Sequence, residues 1–304
     1  MGYRIGFDIG STTIKAVVLD ENNQICYKSY ERHKAQVRQK ALDKLVELKK
    51  YTKEPFKFAI SGSGALGLSE QGELPFVQEV FASATGVSKL YPETDCAIEL
   101  GGEDAKILFF QGSVEQRMNS TCAGGTGAFI DQMATLLNMS LEEMNEASLN
   151  YHRLYPIASR CGVFAKTDIQ PLINQGVDKC DLCASIFQAV VDQTITSLAQ
   201  GRKIEGNILF LGGPLYFMSG LRNRFVETLK LSDVQVNCPD TAINFVALGT
   251  AICADQEYTY DELYKALEDL VHAPAKLTES KPLFESEEDY QKFIERHKSH
   301  DAKY

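Results

Sequence analysis

Residues 4–20 read RIGFDIGSTTIKAVVLD, and residues 95–110 read DCAIELGGEDAKILFF. Aligned, they give Asp8-x-Gly10-x4-Lys15 and Glu99-x-Gly101-x4-Lys106, an acid, a glycine and a lysine in identical register. Each stretch is a pair of β-branched or apolar runs about a turn of small and polar residues, and each continues into a third strand-like run, QICYKSYE and SVEQRMN. A duplicated three-stranded meander is therefore expected, and with it two similar lobes facing one another across a cleft into which each hairpin turn projects.

Outward from the first meander, a helix is expected over about 35–50, where Ala41, Leu45 and Leu48 recur at helical spacing among charges. A buried strand follows at FKFAIS (56–61) and a helix over 79–90, which ends at the Tyr91-Pro92 break. After the second meander the pattern predicts helices over 127–139, 141–149, 162–175 and 182–200. The strand NILFL then leads into Gly212-Gly213-Pro214, a helix over 216–229, a short strand VQVN and the helix 242–253. The expected organisation is a first lobe over 1–92, a second lobe over 93–240, a closing helix over 241–255 returning to the first lobe, and an acidic appendage or linker over 256–304.

Composition narrows the function classes. Apolar residues at 44% and charged residues at 24% are those of an ordinary folded protein. The formal charge of −10 disfavours nucleic acid and anionic membrane surfaces, which need a lysine and arginine surplus. Asp8 and Lys15 interrupt any apolar run at the start, so no signal peptide or spanning helix is expected there and the cytoplasm is the expected compartment. There, eight cysteines argue for free thiols, metal ligation or redox chemistry over a disulfide framework.

A polyphosphate site needs close backbone N–H groups, small hydroxyls, a cation, and a carboxylate for magnesium or water. The turn Asp8-Ile9-Gly10-Ser11-Thr12-Thr13 supplies these with Lys15, and Glu99-Leu100-Gly101-Gly102-Glu103-Asp104 supplies a second glycine turn with three carboxylates. With Gly212-Gly213 they resemble the phosphate-1, phosphate-2 and adenosine motifs of the actin/Hsp70/sugar-kinase superfamily. That resemblance implies an α/β, ribonuclease H-like, duplicated two-lobe fold with a central nucleotide cleft. It implies that Ser11, Thr12 and Gly102 touch phosphates, that Asp8, Glu99, Glu103 and Asp104 act on magnesium or the attacking water, and that Gly212 and Gly213 line the adenosine pocket. Gly10, Thr13, Lys15 and Gly101, and the turn Gly124-Gly125-Thr126-Gly127, are assigned to the nucleotide with them. A Walker A loop is excluded, since no Gly-Lys dipeptide occurs. Gly62-x-Gly64-x-x-Gly67 follows a meander and a helix, and is read as a tight structural turn and not as a dinucleotide fingerprint.

Among the cysteines, Cys180-x-x-Cys183 opens an amphipathic helix with no second pair, and reads as one packed and one exposed thiol. Cys26, Cys96, Cys238 and Cys253 read as small hydrophobes in strands or on an apolar helix face. The histidines, His33 among them, form no metal spacing. Cys122 and Cys161 each stand just ahead of a helix, where the dipole favours a thiolate, so metal ligation competes there with capping or packing. The motifs FDIGSTTIKAVVLD, ELGGEDAKIL, MNSTCAGGTGAFIDQMA, CGVFAKTD and LFLGGP, spread over 5–254, resemble the BadF/BadG/BcrA/BcrD ATPase family and within it the activators of 2-hydroxyacyl-CoA dehydratases.

That resemblance implies ATP hydrolysis to ADP with Mg2+, driving an electron from one four-iron four-sulfur cluster shared by two subunits of a homodimer. Cys122 and Cys161 would be its ligands. The implied partners are a 2-hydroxyacyl-CoA dehydratase-type iron-sulfur protein as acceptor and reduced ferredoxin or flavodoxin as donor. Glu103, the sequence GGPLYF and the tail PLFESEEDYQKFIERH are more similar to the first activator module of very large fused proteins, so another module of a fused chain is an alternative acceptor. A small-molecule kinase of the same fold and a non-catalytic nucleotide sensor remain rival readings, separable by phosphoryl transfer and steady-state ATPase assays.

Overall fold

The structure, a computed structural model, describes residues 2–119, 124–157, 162–274 and 282–298. Residues 2–271 form one compact unit of two five-stranded sheets, whose strands in spatial order are Glu257–Tyr258, Phe56–Ser61, Arg4–Ile9, Thr13–Leu19 and Ile25–Arg32 in one, and Glu115–Asn119, Ala105–Phe109, Cys96–Leu100, Ile208–Leu211 and Val236–Asn237 in the other. The first lobe opens with β1 (Arg4–Ile9), β2 (Thr13–Leu19) and β3 (Ile25–Arg32), then α1 (Val37–Glu47), β4 (Phe56–Ser61), α2 (Leu66–Gly72) and α3 (Glu79–Leu90). The second lobe repeats the meander as β5 (Cys96–Leu100), β6 (Ala105–Phe109) and β7 (Glu115–Asn119). Four helices follow it: α4 (Gly127–Leu137), α5 (Leu141–Ser148), α6 (Gly162–Asn174) and α7 (Lys179–Thr194), the last running on into a π-turn over Ile195–Ala199. Next come β8 (Ile208–Leu211), α8 (Gly213–Phe217), α9 (Ser219–Leu229), β9 (Val236–Asn237) and α10 (Phe245–Cys253).

The duplication holds register by register. β1 pairs antiparallel with β2 so that Asp8 opposes Lys15, and β5 pairs with β6 so that Glu99 opposes Lys106. In each lobe a later strand adds parallel to the acid-bearing one, β4 to β1 and β8 to β5. Alternate residues of a strand face opposite sides, so each acid and its lysine share a face, at the spacing of direct cross-strand neighbours.

Three apolar clusters hold the unit together. One lies under the first sheet, around Phe7, Phe56 and Phe58; another lies in the second lobe, around Phe129, Phe187, Phe210 and Phe225. The third joins the lobes, with Val17 and Leu19 of β2 meeting Leu108, Leu209 and Leu211 through Phe245, Leu248 and Ala251 of α10. The apolar stretch Lys179–Ala199 is long enough to cross a membrane, but 72% of it is buried inside the protein.

The boundary expected at residue 256 is corrected. β10 (Glu257–Tyr258) pairs with β4, and α11 (Tyr260–His272) buries Leu263, Leu267 and Leu270 in the first-lobe core. The acidic composition of this stretch hid a helix whose leucines recur every three to four residues, the spacing of one helical face. Leu267 is 1% exposed, so Leu267→Ala is expected to cost about 2–5 kcal/mol in chemical denaturation. Wild-type stability in that variant would place α11 outside the core.

The second unit, from His272 onward, contains α12 (Glu287–His297) with no buried residue, in keeping with the solvated helix read from its composition. Other departures are local. α1 starts at Val37 because Lys34 and Ala35 are left-handed, and Cys26, expected to pack, is exposed on β3.

Candidate functional site

The two hairpin turns close in the same way: Gly10 N–H donates to Thr13 O at 2.9 Å, and Gly101 N–H to Asp104 O at 2.8 Å. They also face one another. A Cβ built on Gly102 would stand 3.0 Å from Thr12 Oγ1 and 3.7 Å from Ser11 Oγ, so Gly102 allows the second-lobe turn to come against the hydroxyls of the first. The start of α4 reaches the same place, where Gly127 N–H donates to Gly101 O at 3.0 Å and Ala128 N–H to Gly102 O at 2.7 Å. The turn over 124–127 is thus joined to the second hairpin turn.

Behind the turns lie the acids. Asp8 is 3% exposed; its Oδ2 takes Lys15 Nζ at 2.8 Å, while Oδ1 is buried with no hydrogen-bond partner. In the second lobe Lys106, 1% exposed, sits among Glu99 at 3.3 Å, Asp104 at 3.0 Å and Glu79 at 2.5 Å. Burial alone would lower both ammonium groups, but Asp8 raises Lys15, and Glu99, Glu79 and Asp104 raise Lys106 well above the ordinary lysine value. Both lysines stay charged and offset the carboxylates beside them. Glu103 is exposed at the tip, apart from this cluster.

Glu79 escaped the sequence reading because it belongs to neither hairpin. It opens α3, and only the fold brings it to Lys106. Burial, opposed by Lys106 and reinforced by Asp8, Glu99 and Asp104, pushes its carboxyl up to about 7 from an ordinary 4.5. A carboxyl raised on folding contributes stability that is fully present below its unfolded value and is lost as pH rises through its folded one. The nucleotide-free protein should therefore lose thermal stability as pH rises from about 4.5 to about 7 and level off above it, and Glu79→Gln should flatten that fall. Identical pH slopes in the two proteins would remove the assignment.

The sequence reading of Gly62 as a tight structural turn needs an addition. Gly62 (φ +97°) follows β4 as Gly212 (φ +87°) follows β8, and a Cβ at either would strike a backbone oxygen of the neighbouring acid-bearing strand, Ile9 O at 2.3 Å or Leu100 O at 2.0 Å. The same Cβ at Gly62 would lie 2.6 Å from Asp8 Oδ1, so this turn borders the site. At the other end of the cleft Gly213 faces Tyr30 of β3 and Phe217 of α8, whose rings meet edge to face at 6.1 Å across the lobes. Phe217 closes the GGPLYF run, but the sequence marked neither ring as part of this site.

Cys122 and Cys161 lie outside the described residues. The start of α6 meets α4: a Cβ on Gly162 would lie 2.7 Å from Gln132 Oε1 and 3.9 Å from Phe129. Cys183 is buried, with its thiol pushed up to about 12 by desolvation first and by Cys180; Cys180 is half-buried and raised as well. Burial thus favours the protonated thiol at both positions. Among the described residues no group of three His, Cys, Asp or Glu side chains is placed to hold a metal ion, and the three carboxylates around Lys106 are taken up by its ammonium. Magnesium is commonly held by one or two carboxylates together with phosphates and waters, and the unpartnered Asp8 Oδ1 offers the oxygen donor for that mode.

The model of the BadF/BadG/BcrA/BcrD ATPase family matches residues 5–254. Over 257 residues the chain is 28% identical to the (R)-2-hydroxyglutaryl-CoA dehydratase activating ATPase of Acidaminococcus fermentans, spanning 83% of this chain and 96% of that one. Over 266 residues it is 27% identical to the 2-hydroxyisocaproyl-CoA dehydratase activator of Clostridioides difficile, spanning 86% and 96%. The structure of the latter activator type from Clostridium difficile with bound ADPNP superposes with a TM-score of 0.73 at 26% identity, covering 90% of this chain and 98% of that one.

Proposed function

The chain belongs to the BadF/BadG/BcrA/BcrD ATPase family, and from that premise we propose that it is an ATP-hydrolysing activator that delivers a low-potential electron to a 2-hydroxyacyl-CoA dehydratase-type partner. The observation that carries this reading is the pair of hydrogen bonds from Gly127 and Ala128 to Gly101 and Gly102, because α4 directly follows the segment containing Cys122. A change at the phosphate-2 turn on hydrolysis is felt at once by that helix start. The kinase and sensor alternatives give this link no purpose.

In the proposed site Ser11, Thr12 and Gly102 contact the phosphates, with Gly10, Thr13, Gly101 and the turn 124–127 shaping the turns. Gly212 and Gly213 border the adenosine end. Asp8, aligned by Lys15, uses Oδ1 toward magnesium or the water that attacks the γ-phosphate, while Glu99 and Asp104 are held by Lys106 on the opposite lobe. Magnesium, when bound, would neutralise phosphate charge. Cys122 and Cys161 from each of two chains would supply the four thiolates of one four-iron four-sulfur cluster, which would supply the transferable electron. The homodimer, a reduced ferredoxin or flavodoxin donor, and a cytoplasmic setting belong to the same proposal.

Anaerobic purification with iron analysis and electron paramagnetic resonance is the test, run beside a steady-state ATPase assay. The expected result is about four irons per pair of chains with a reducible cluster signal. ATP turnover without any iron after anaerobic reconstitution would overturn the electron-transfer half of the proposal and leave the nucleotide half standing.

A further inference from the structure

His33 immediately follows β3 and is 4% exposed, yet no role has been found for it as a ligand. Its backbone N–H donates to Thr12 O at 3.2 Å, its Nδ1 accepts the N–H of Ala35 at 3.2 Å, and its Nε2 lies 3.0 Å from Gly10 O. A backbone N–H can only donate, so Nδ1 is the bare nitrogen and the ring proton resides on Nε2. His33 therefore donates twice to the phosphate-1 turn, once from the ring to Gly10 O and once from the backbone to Thr12 O.

The consequence is steric and electrostatic. In a trans peptide the C=O and the next N–H point opposite ways, so drawing the Gly10 and Thr12 oxygens toward His33 aims the Ser11 and Thr13 N–H groups away from it. It also turns two carbonyl dipoles that would repel a phosphate onto a donor. An anion-binding turn consists of N–H groups presented in this way.

The segment that places His33 is itself strained. Lys34 (φ 51°) and Ala35 (φ 61°) are consecutive left-handed residues, closed by Gln36 N–H to His33 O at 2.8 Å. Among the described residues no other non-glycine pair does this. Each costs about 1–2 kcal/mol in such a backbone, and strain of this kind persists where surrounding structure enforces it, often beside a functional site.

We propose that His33 is a positioning residue that holds the phosphate-1 turn with its N–H groups set for a nucleoside polyphosphate, and so determines affinity for the phosphate chain and not for the nucleoside. The proposal rests on the cleft being the nucleotide site. It is tested on the full chain by calorimetric titration with Mg2+-ADPNP and, separately, with adenosine, for wild type, His33→Ala, His33→Asn and His33→Gln. Glutamine places an amide nitrogen near the position of Nε2 and can still donate to Gly10 O, whereas asparagine reaches only as far as Nδ1.

The expected result is a loss of about tenfold in ADPNP affinity for the alanine and asparagine variants, the size of one hydrogen-bonded contact, with recovery of most of it in the glutamine variant. Adenosine affinity should be unchanged in all four proteins. Wild-type ADPNP affinity in His33→Ala, a parallel loss of adenosine, or equal affinities in the glutamine and asparagine variants would each overturn the role. If His33→Ala does not fold, the glutamine and asparagine pair decides alone. Failure of the wild type itself to bind ADPNP would instead bring down the nucleotide reading, and this inference with it.

Discussion

Asp8→Asn is expected to lower steady-state ATP hydrolysis by about a hundredfold, the scale of losing a carboxylate that orders magnesium or an attacking water. The two oxygens of Asp8 are unequal in this structure. Oδ2 is taken by Lys15 at 2.8 Å, and Oδ1 is buried without a partner beside Gly62. Asparagine keeps the volume and leaves an amide oxygen for Lys15 while removing the charge, so its effect falls on chemistry more than on folding. Alanine does something else: it also removes the oxygen that accepts from Lys15, whose side chain is only 16% exposed, and part of any loss would then be structural. Comparing the two variants by ATPase rate and unfolding midpoint separates these effects. An asparagine variant that hydrolyses ATP as fast as wild type would show that Asp8 is a structural partner of Lys15 and no more.

The second large effect is expected at the cysteines. Cys122→Ser and Cys161→Ser, alone or together, should abolish cluster iron and partner reduction while leaving ADPNP binding intact, because a serine hydroxyl remains protonated where a thiolate is required. The control is Cys180→Ser with Cys183→Ala. Alanine is chosen at 183 because that thiol is packed in the second-lobe core, where a hydroxyl would be buried unsatisfied. In the proposed dimer four ligands would be present without this pair, so the control should retain its iron. Iron lost in the control and retained in Cys122→Ser would reverse the assignment.

The comparisons bear out the family and the fold read from the sequence, and the physical reason is plain in particular residues. The alternation of β1, β2, β5 and β6 is a local property, and the match of Asp8-x-Gly10-x4-Lys15 to Glu99-x-Gly101-x4-Lys106 specifies which residues oppose one another once each hairpin closes. Small residues in a turn between two such strands announce a backbone that something else must approach. Within each hairpin these signals lie inside about fifteen residues, so a linear reading captures them.

The rest depended on contacts between distant parts of the chain. Glu79 meets Lys106 across 27 positions, and His33 meets Gly10 across 23, in each case between elements whose own periodicity says nothing about the encounter. Tyr30 and Phe217 come from different lobes, and α11 was concealed by its charged face until its leucines were seen against β4 and α1. By itself the sequence determined the duplicated hairpins, the acids they carry and the cleft they imply, because strand alternation and turn chemistry act over a few residues. Only the tertiary structure decided that Glu79 joins Lys106, and that His33 meets the carbonyls of Gly10 and Thr12. Those pairings are set by how two sheets and their connecting helices pack, and packing brings together residues that no local pattern links.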